Sequence, residues 1–300
     1  MTAVLSRPAP EPASAAAPRP SRRRPRGARA GRAGPVAYTL VVLTALVSVF
    51  PLYWTLVAGS HTNAEIAATP PPFLPNATFF ENVSAALDQA PLGLAIVNSV
   101  IVAGCITVGT VLFCTLAGFA FAKLRFRGSG PLLGLVVGTM MVPTQLAVIP
   151  LFMMIAELQW VDSLQAVVLP TLVSAFGVFF MRQYLVTALP DELLEAGRVD
   201  GASTHRIFFS IVLPVARPAM AVLAMLTFLT AWNEFFWPII ALTAANPTVQ
   251  VAIANLGSGY VPQRAVIMAG TLLGTLPVLV VFAFLGKQIV GGIMSGAVKG

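Results

Sequence analysis

Charge, cysteine and histidine are all scarce in this chain of 300 residues. Asp, Glu, Lys and Arg together make up 10% of it, against about 25% in soluble domains. A chain so poor in charge is not an ordinary soluble protein. The two cysteines, Cys105 and Cys114, lie inside one apolar run, which excludes a disulfide framework and a zinc site. The two histidines, His61 and His205, are far apart, so the sequence offers no metal cluster. A phosphate-cradling Gly-x-x-x-x-Gly-Lys-Ser/Thr loop is missing: Gly286-Lys287 is followed by Gln288 and lacks the earlier glycine. The apolar runs also carry no His-Glu-x-x-His pattern and no nucleophile–base set, which argues against a membrane-embedded enzyme.

What is abundant is apolar sequence. Hydrophobic residues make up 57% of the chain, and the mean hydropathy is +0.85. Six apolar spans are legible, at 37–58, 93–121, 131–155, 164–186, 217–242 and 266–285. Each meets the requirement of about 20 residues for a hydrocarbon core about 30 Å thick. Spans of this length are helices, because lipid offers no partner to an unsatisfied backbone group. The fold class is therefore an all-α membrane protein with six transmembrane helices. Pro51, Pro143, Pro150, Pro170, Pro238 and Pro277 mark kinks or interruptions, and a break near Trp160 separates the third span from the fourth. Two runs of small residues, Gly130/Gly134/Gly138 and Gly270/Gly274, are expected to let helices approach closely within the subunit, with a dimer contact as the alternative.

Residues 1–35 are rich in Pro, Ala and Arg and lack apolar periodicity, so a disordered basic cytoplasmic tail is expected there, followed by a six-helix domain over 36–300. A signal peptide is the alternative, but 37–58 is longer than a usual apolar h-region and lacks a clear cleavage site. With the N-terminus inside, the inner segments hold eight tail arginines and Lys123, Arg125, Arg127, Arg182, Arg198, Arg206, Arg217, Lys287 and Lys299. Only Arg264 of the 18 basic residues falls outside. This bias predicts both termini in the cytoplasm of a multi-pass protein of the bacterial cell (inner or plasma) membrane. The tail adjoins a membrane span, so its arginines set orientation and attract anionic lipid rather than nucleic acid.

Two places carry chemistry. Asn233 and Glu234 lie in the fifth span, and Glu234 is an acid well away from a span edge. It is a candidate for a substrate path or proton relay, or for a structural hydrogen bond between helices. The second place is the inner loop between the fourth and fifth spans, residues 188–216. Pro190, Asp191 and Glu192 suit a first helical turn, Gly201 a left-handed stop, and Ser203 the cap of a second short helix. Ile207, Phe208 and Ile211 then share one face, and Pro214 and Pro218 mark the return into the membrane. Exposed Phe208 and Phe209 would call for a partner, so the loop is expected to be a docking surface.

Within that loop, Glu195-Ala196-Gly197, Gly201 and Ile211-Val212-Leu213-Pro214 keep the spacing of the EAA signature. The chain thereby resembles the permease subunits of ABC importers, with Gly197 where a second alanine is usual. Asn98-Ser99, Phe121-Ala-Lys-Leu-Arg-Phe126, Met141-Val-Pro143, Trp232-Asn-Glu-Phe235 and Ser295-Gly-Ala-Val-Lys-Gly300 resemble the carbohydrate (maltose-type, MalG-like) branch. The resemblance implies an ATP-driven importer for a sugar or oligosaccharide. It implies a second, usually non-identical permease, a cytoplasmic ABC ATPase dimer holding ATP and Mg, and an extracytoplasmic sugar-binding protein. This chain would hold no cofactor or metal of its own. It also implies a role for each matching residue: Glu195 paired with a basic residue of the ATPase, Gly201 at the sharp turn, and Asp200 holding that turn or facing the ATPase. Ala196, Ala202 and Ile211 would sit in the ATPase cleft, with Gly197, Leu213 and Pro214 completing the motif. The outer loops 60–91 and 244–264 would meet the binding protein. The rivals are an importer of the same class for a polyamine or phosphonate, and a secondary carrier. A carrier would need several intramembrane charges or an inverted repeat, neither of which is evident.

Overall fold

A computed structural model describes residues 34–297, with side chains through Phe284. The basic tail, the side chains of Lys287 and Lys299, and the C-terminal Ser295–Gly300 match therefore lie outside what is described. The chain divides into two units at Val49/Phe50. In the first, residues 34–49 form the beginning of helix α1 (Pro35–Gly59), and every one of them is exposed.

In the second unit α1 ends on the buried Val57, Ala58 and Gly59. Helix α2 (Asn63–Ile66) opens on a reciprocal cap between Thr62 and Glu65. Helix α3 (Thr78–Gln89) is amphipathic and buries Ala86. It leads into α4 (Leu92–Lys123), 32 residues without a proline. The chain continues through α5 (Ser129–Thr139), α6 (Val148–Glu157), α7 (Leu164–Val168), α8 (Ala175–Ala188), α9 (Asp191–Val199), α10 (Thr204–Ile207) and α11 (Leu213–Trp232). It closes with α12 (Phe236–Ala241), α13 (Val249–Leu256) and α14 (Arg264–Ala297). Among the described residues there is no strand.

Three expectations about the spans need correction. The third is not one helix: α5 and the stretch Thr144–Glu157 meet at 92°. Pro143 has no N–H and forces Val142 out of helical geometry, so the helix stops before it. The fourth bends by 41° between Leu164–Thr171 and Ala175–Ala188, where Ser174 starts α8 anew by accepting from the Gly177 N–H at 2.8 Å. The fifth begins earlier than expected, at Thr204, and breaks at Asn233–Phe235. Among the described residues four helices are thus long and apolar enough to cross a membrane, and up to six if each bent pair is one span. Pro51 and Pro277 stay inside unbroken helices. The break near Trp160 falls between α6 and α7, as expected.

Helix α4 runs through all of the core. It contributes Leu92, Ala95 and Ala103 to a cluster with α3, α11, α13 and α14, Val102 and Ile106 to one with α6, α7 and α12, and Cys114 and Phe119 to one with α8–α11. In lipid such contacts gain little from the hydrophobic effect, so close approach matters more. Gly270 and Gly274 act as expected: a methyl group there would come within 2.9 Å of Leu256 and 2.6 Å of Val249 on α13. Gly130, Gly134 and Gly138 do not, for nothing lies within 4 Å of where their Cβ atoms would stand. Helix α5 buries none of its residues, which leaves that stripe open.

A polar clasp joins α4 to the 241–249 connection. The buried Asn98 donates to Asn246 Oδ1 at 2.8 Å and to the Pro247 carbonyl at 3.0 Å, and Ser99 Oγ accepts from the Val249 N–H at 2.9 Å. Asp162 extends the clasp. One carboxylate oxygen accepts from both the N–H and the hydroxyl of Thr243, at 2.9 and 3.0 Å. Buried polar groups need partners, and Asn98 and Ser99 find theirs 148 to 150 residues along the sequence.

Candidate functional site

The segment 190–214 lies at the end of the cluster that includes the last turns of α4 and α8. Helix α9 starts with Asp191 and Glu192 and ends with Arg198 in its last turn, charges that suit both ends of its dipole. Leu194 and Gly197 face inward, while Glu195, Ala196 and Asp200 are exposed. The stop is a Schellman turn. Gly201 has φ +74°, its N–H donates to the Arg198 carbonyl at 3.0 Å, and the Ala202 N–H reaches back to Gly197 at 2.9 Å. Ser203 then caps α10 through the Arg206 N–H at 3.4 Å. The expected turn residues hold their expected places.

Beyond Ser203 the chain departs from the expected pair of short helices. Helix α10 runs through a π-helical stretch, Phe208–Val212, straight into α11. In that stretch the Leu213 N–H donates five residues back, to Phe208. Pro214 offers no N–H to Ser210, and its ring crowds that carbonyl, so a wider turn relieves the conflict. Pro214 and Pro218 therefore sit within the first turns of a continuous rod and do not mark a break.

Phe208 is also not a free apolar surface. It is 3% exposed, with its ring centroid 5.9 Å from that of Phe119 on α4. Phe209 is the exposed one, at 59%. Ile211, expected in a partner's cleft, is half-buried, and its Cδ1 lies 3.2 Å from where a Gly197 Cβ would stand. Leu213 and Ala202 are half-buried against the same cluster, and Pro214 is exposed. The outward surface therefore includes Glu195, Ala196, Val199, Asp200 and Phe209.

Gly197 is the departure from the usual motif, and its surroundings predict the result of restoring alanine. The nearest atoms to the added methyl are side-chain carbons, Ile211 Cδ1 at 3.2 Å and Ile207 Cγ1 at 3.4 Å. A shift of a few tenths of an ångström accommodates it, while the helix gains up to about 1 kcal/mol in propensity. Gly197→Ala is expected to hold or raise the melting temperature in detergent, measured by tryptophan fluorescence. A fall of several degrees would show that the isoleucines cannot yield.

A pairing not foreseen from the sequence lies at the start of α9. Lys123 Nζ, at the last residue of α4, donates to Asp191 Oδ1 at 2.8 Å. The hydrogen bond from Lys123, then its charge, holds the Asp191 carboxyl below the usual carboxylate range, with Arg125 and Arg198 adding smaller pulls. A carboxyl whose folded pKa is depressed stabilises the fold above its unfolded value of about 3.9, and that contribution is lost as pH falls through the folded value. Lys123→Gln is therefore expected to melt below the native protein at pH 7, with the gap narrowing as pH falls below about 3.9. Thermal scans across that range check this. The separation of 68 residues hid the pair.

Asn233 and Glu234 occupy the break between α11 and α12 rather than a helix interior. Glu234 Oε1 accepts from the Trp237 N–H at 3.2 Å, and Asn233 folds back on the Leu229 carbonyl at 2.8 Å. The span reading placed Glu234 deep in a helix because the hydropathy window ran over the gap. Among the described residues no three His, Cys, Asp or Glu come together as metal ligands.

Among the described residues the domain is helical throughout, with several helices apolar enough to cross a membrane and a short helical element held at the end of the central helix. The comparisons make this specific. Residues 114–293 match the family model described as the binding-protein-dependent transport system inner membrane component. The chain is 34% identical over 265 residues to the lactose transport system permease protein of Rhizobium radiobacter, covering 88% of this chain and 96% of that one. It is 33% identical over 268 residues to the sn-glycerol-3-phosphate transport system permease protein of Salmonella typhimurium, covering 86% and 95%. To the arabinooligosaccharides transport system permease protein of Halalkalibacterium halodurans it is 32% identical over 260 residues, covering 85% and 93%. Its fold is similar to a chain of a bacterial ABC transporter involved in the import of the acidic polysaccharide alginate, with TM-score 0.71, 21% identity, and 84% and 94% coverage. This chain belongs to the family of inner membrane components of binding-protein-dependent transport systems. It is a permease subunit, and not itself the ATPase.

Proposed function

We propose that this chain forms part of the pathway of an ATP-driven importer in a bacterial inner membrane, carrying a sugar or oligosaccharide handed over by an extracytoplasmic binding protein. The bent pairs count as single spans, giving six, with both termini and the 188–216 segment on the cytoplasmic side. A second, non-identical permease completes the pathway. A partner ATPase dimer holds ATP and Mg. The observation that carries the reading is the form of 190–214: a short helix with outward Glu195, Ala196 and Asp200, stopped by Gly201 and backed by α11. Glu195 would pair with a basic residue of the ATPase, and Ala196 and Asp200 would lie in the contact. Gly197, Ala202, Ile211, Leu213 and Pro214 would shape the element from behind. Asn233 and Glu234, in a helix break with the Asn233 side chain exposed, would border the solute path. The lactose and arabinooligosaccharide relatives favour a sugar. The sn-glycerol-3-phosphate relatives support a second reading, a phosphorylated polyol.

Mild-detergent capture of the tagged chain from its native membrane, followed by mass spectrometry, tests this. The expected eluate contains another permease-like chain and a Walker-motif ATPase, and reconstituted vesicles take up radiolabelled lactose or sn-glycerol 3-phosphate only with ATP inside. This chain alone, transporting without ATP, would establish a secondary carrier instead.

A further inference from the structure

We propose that Lys123 and Asp191 are positioning residues whose ion pair makes α9 move with α4. This rests on the reading of α9 as the element an ATPase drives. A lysine at the end of a membrane helix ordinarily extends its ammonium to water or lipid headgroups. Lys123 does not: its side chain is 9% exposed and turned onto Asp191. The pair joins the last residue of α4 to the first residue of α9, so each charge also complements its own helix end. On the chain itself, α9 is joined to α8 only through Leu189 and Pro190, both extended (ψ 103° and 142°). Two extended residues transmit little torque. At its other end α9 is held by the Schellman turn and by Gly197 against Ile207 and Ile211, which lead into α11. Leu189 and Leu194 also bury apolar surface in the cluster shared with α4 and α8, but apolar contact is non-directional and permits sliding. The ion pair fixes a distance between two named atoms. With it, α9 is tied to α4 at one end and to α11 at the other, and α4 reaches every cluster of the core.

The test uses the complex captured with its ATPase. Spin labels are placed at Val199→Cys on α9, which is 87% exposed, and at Arg127→Cys, next to Phe126, whose ring packs on Phe121 of α4 at 5.7 Å. Cys105→Ser removes the exposed native thiol. Distances are measured by pulsed electron resonance with and without ATP and vanadate. In the native pair the distance is expected to stay the same in both states. In Lys123→Gln it should match the native value without nucleotide and shift and broaden with it. Lys123→Arg, and the exchange Lys123→Asp with Asp191→Lys, should restore the native behaviour. An unchanged distance in Lys123→Gln would overturn the proposal, as would broadening that is equal in both states, the mark of a merely structural contact. A native distance that itself shifts with nucleotide overturns it as well. A captured complex with no ATPase would overturn the importer reading instead, a result distinct from all of these.

Discussion

Replacing Gly118 with valine is expected to lower the stability of this permease markedly. The glycine stands where α4 meets α8. A Cβ there would lie 2.8 Å from the Arg182 backbone nitrogen, 2.8 Å from Met181 Cβ and 3.0 Å from the Met181 carbonyl carbon. Two of these are backbone atoms, so no rotamer change relieves the clash. The helices must separate, and overpacking of this kind costs about 1–3 kcal/mol or more. Separation would also loosen Cys114, Phe119, Met181 and Leu185, which fill the same cluster. The melting temperature in detergent is expected to fall by roughly 5–10 °C. Gly134→Val is the control, since nothing lies within 4 Å of its side, and its own helix propensity is the main term affected. Equal stability of the two variants would contradict the α4–α8 contact.

Replacing Glu195 with alanine is expected to break coupling while leaving the fold intact. The side chain is exposed on the outer face of α9, and no hydrogen bond or ion pair to it is found among the described residues. Its removal therefore takes nothing from the subunit, and alanine favours the helix. If a basic residue of the ATPase meets it, the loss of a charge-assisted bond weakens docking by about 1.5–3 kcal/mol, roughly ten- to a hundred-fold. The yield of the isolated subunit and its melting temperature should be native. The amount of ATPase captured and the ATP-driven uptake should both fall. Normal uptake with normal capture would remove Glu195 from the contact.

Glu195 and Lys123 show how differently two charges can be read. Glu195 could be singled out because it sits in a spaced local pattern, with Gly201 six residues on and Pro214 beyond. Such a pattern is written in backbone requirements: a left-handed φ at Gly201, a cap at Ser203, acids at a helix start. These are local, and the structure places each where the spacing puts it. Lys123 was legible only as a cytoplasmic charge, since nothing in the residues near it points to Asp191. Phe208 misled for the same reason. Its apolar ring in a polar loop read as an unpartnered surface, whereas α4 supplies the partner, Phe119, from 89 residues earlier in the chain.

The amino-acid sequence by itself determined the helical class, the approximate limits of the apolar spans, the break near Trp160 and the turn chemistry of 190–204, because hydropathy, proline and glycine act over a few residues. It also carried the motif by which the family is known. Only the tertiary structure decided that the third apolar run bends by 92°, that Glu234 lies in a gap, and that one glycine stripe packs while the other is open. The same holds for the Asn98–Asn246–Asp162 clasp and for the tie between α9 and α4. Each of these depends on which distant backbone comes within a few ångströms, a matter of packing that apolar periodicity does not encode, because lipid and protein neighbours ask for the same side chains.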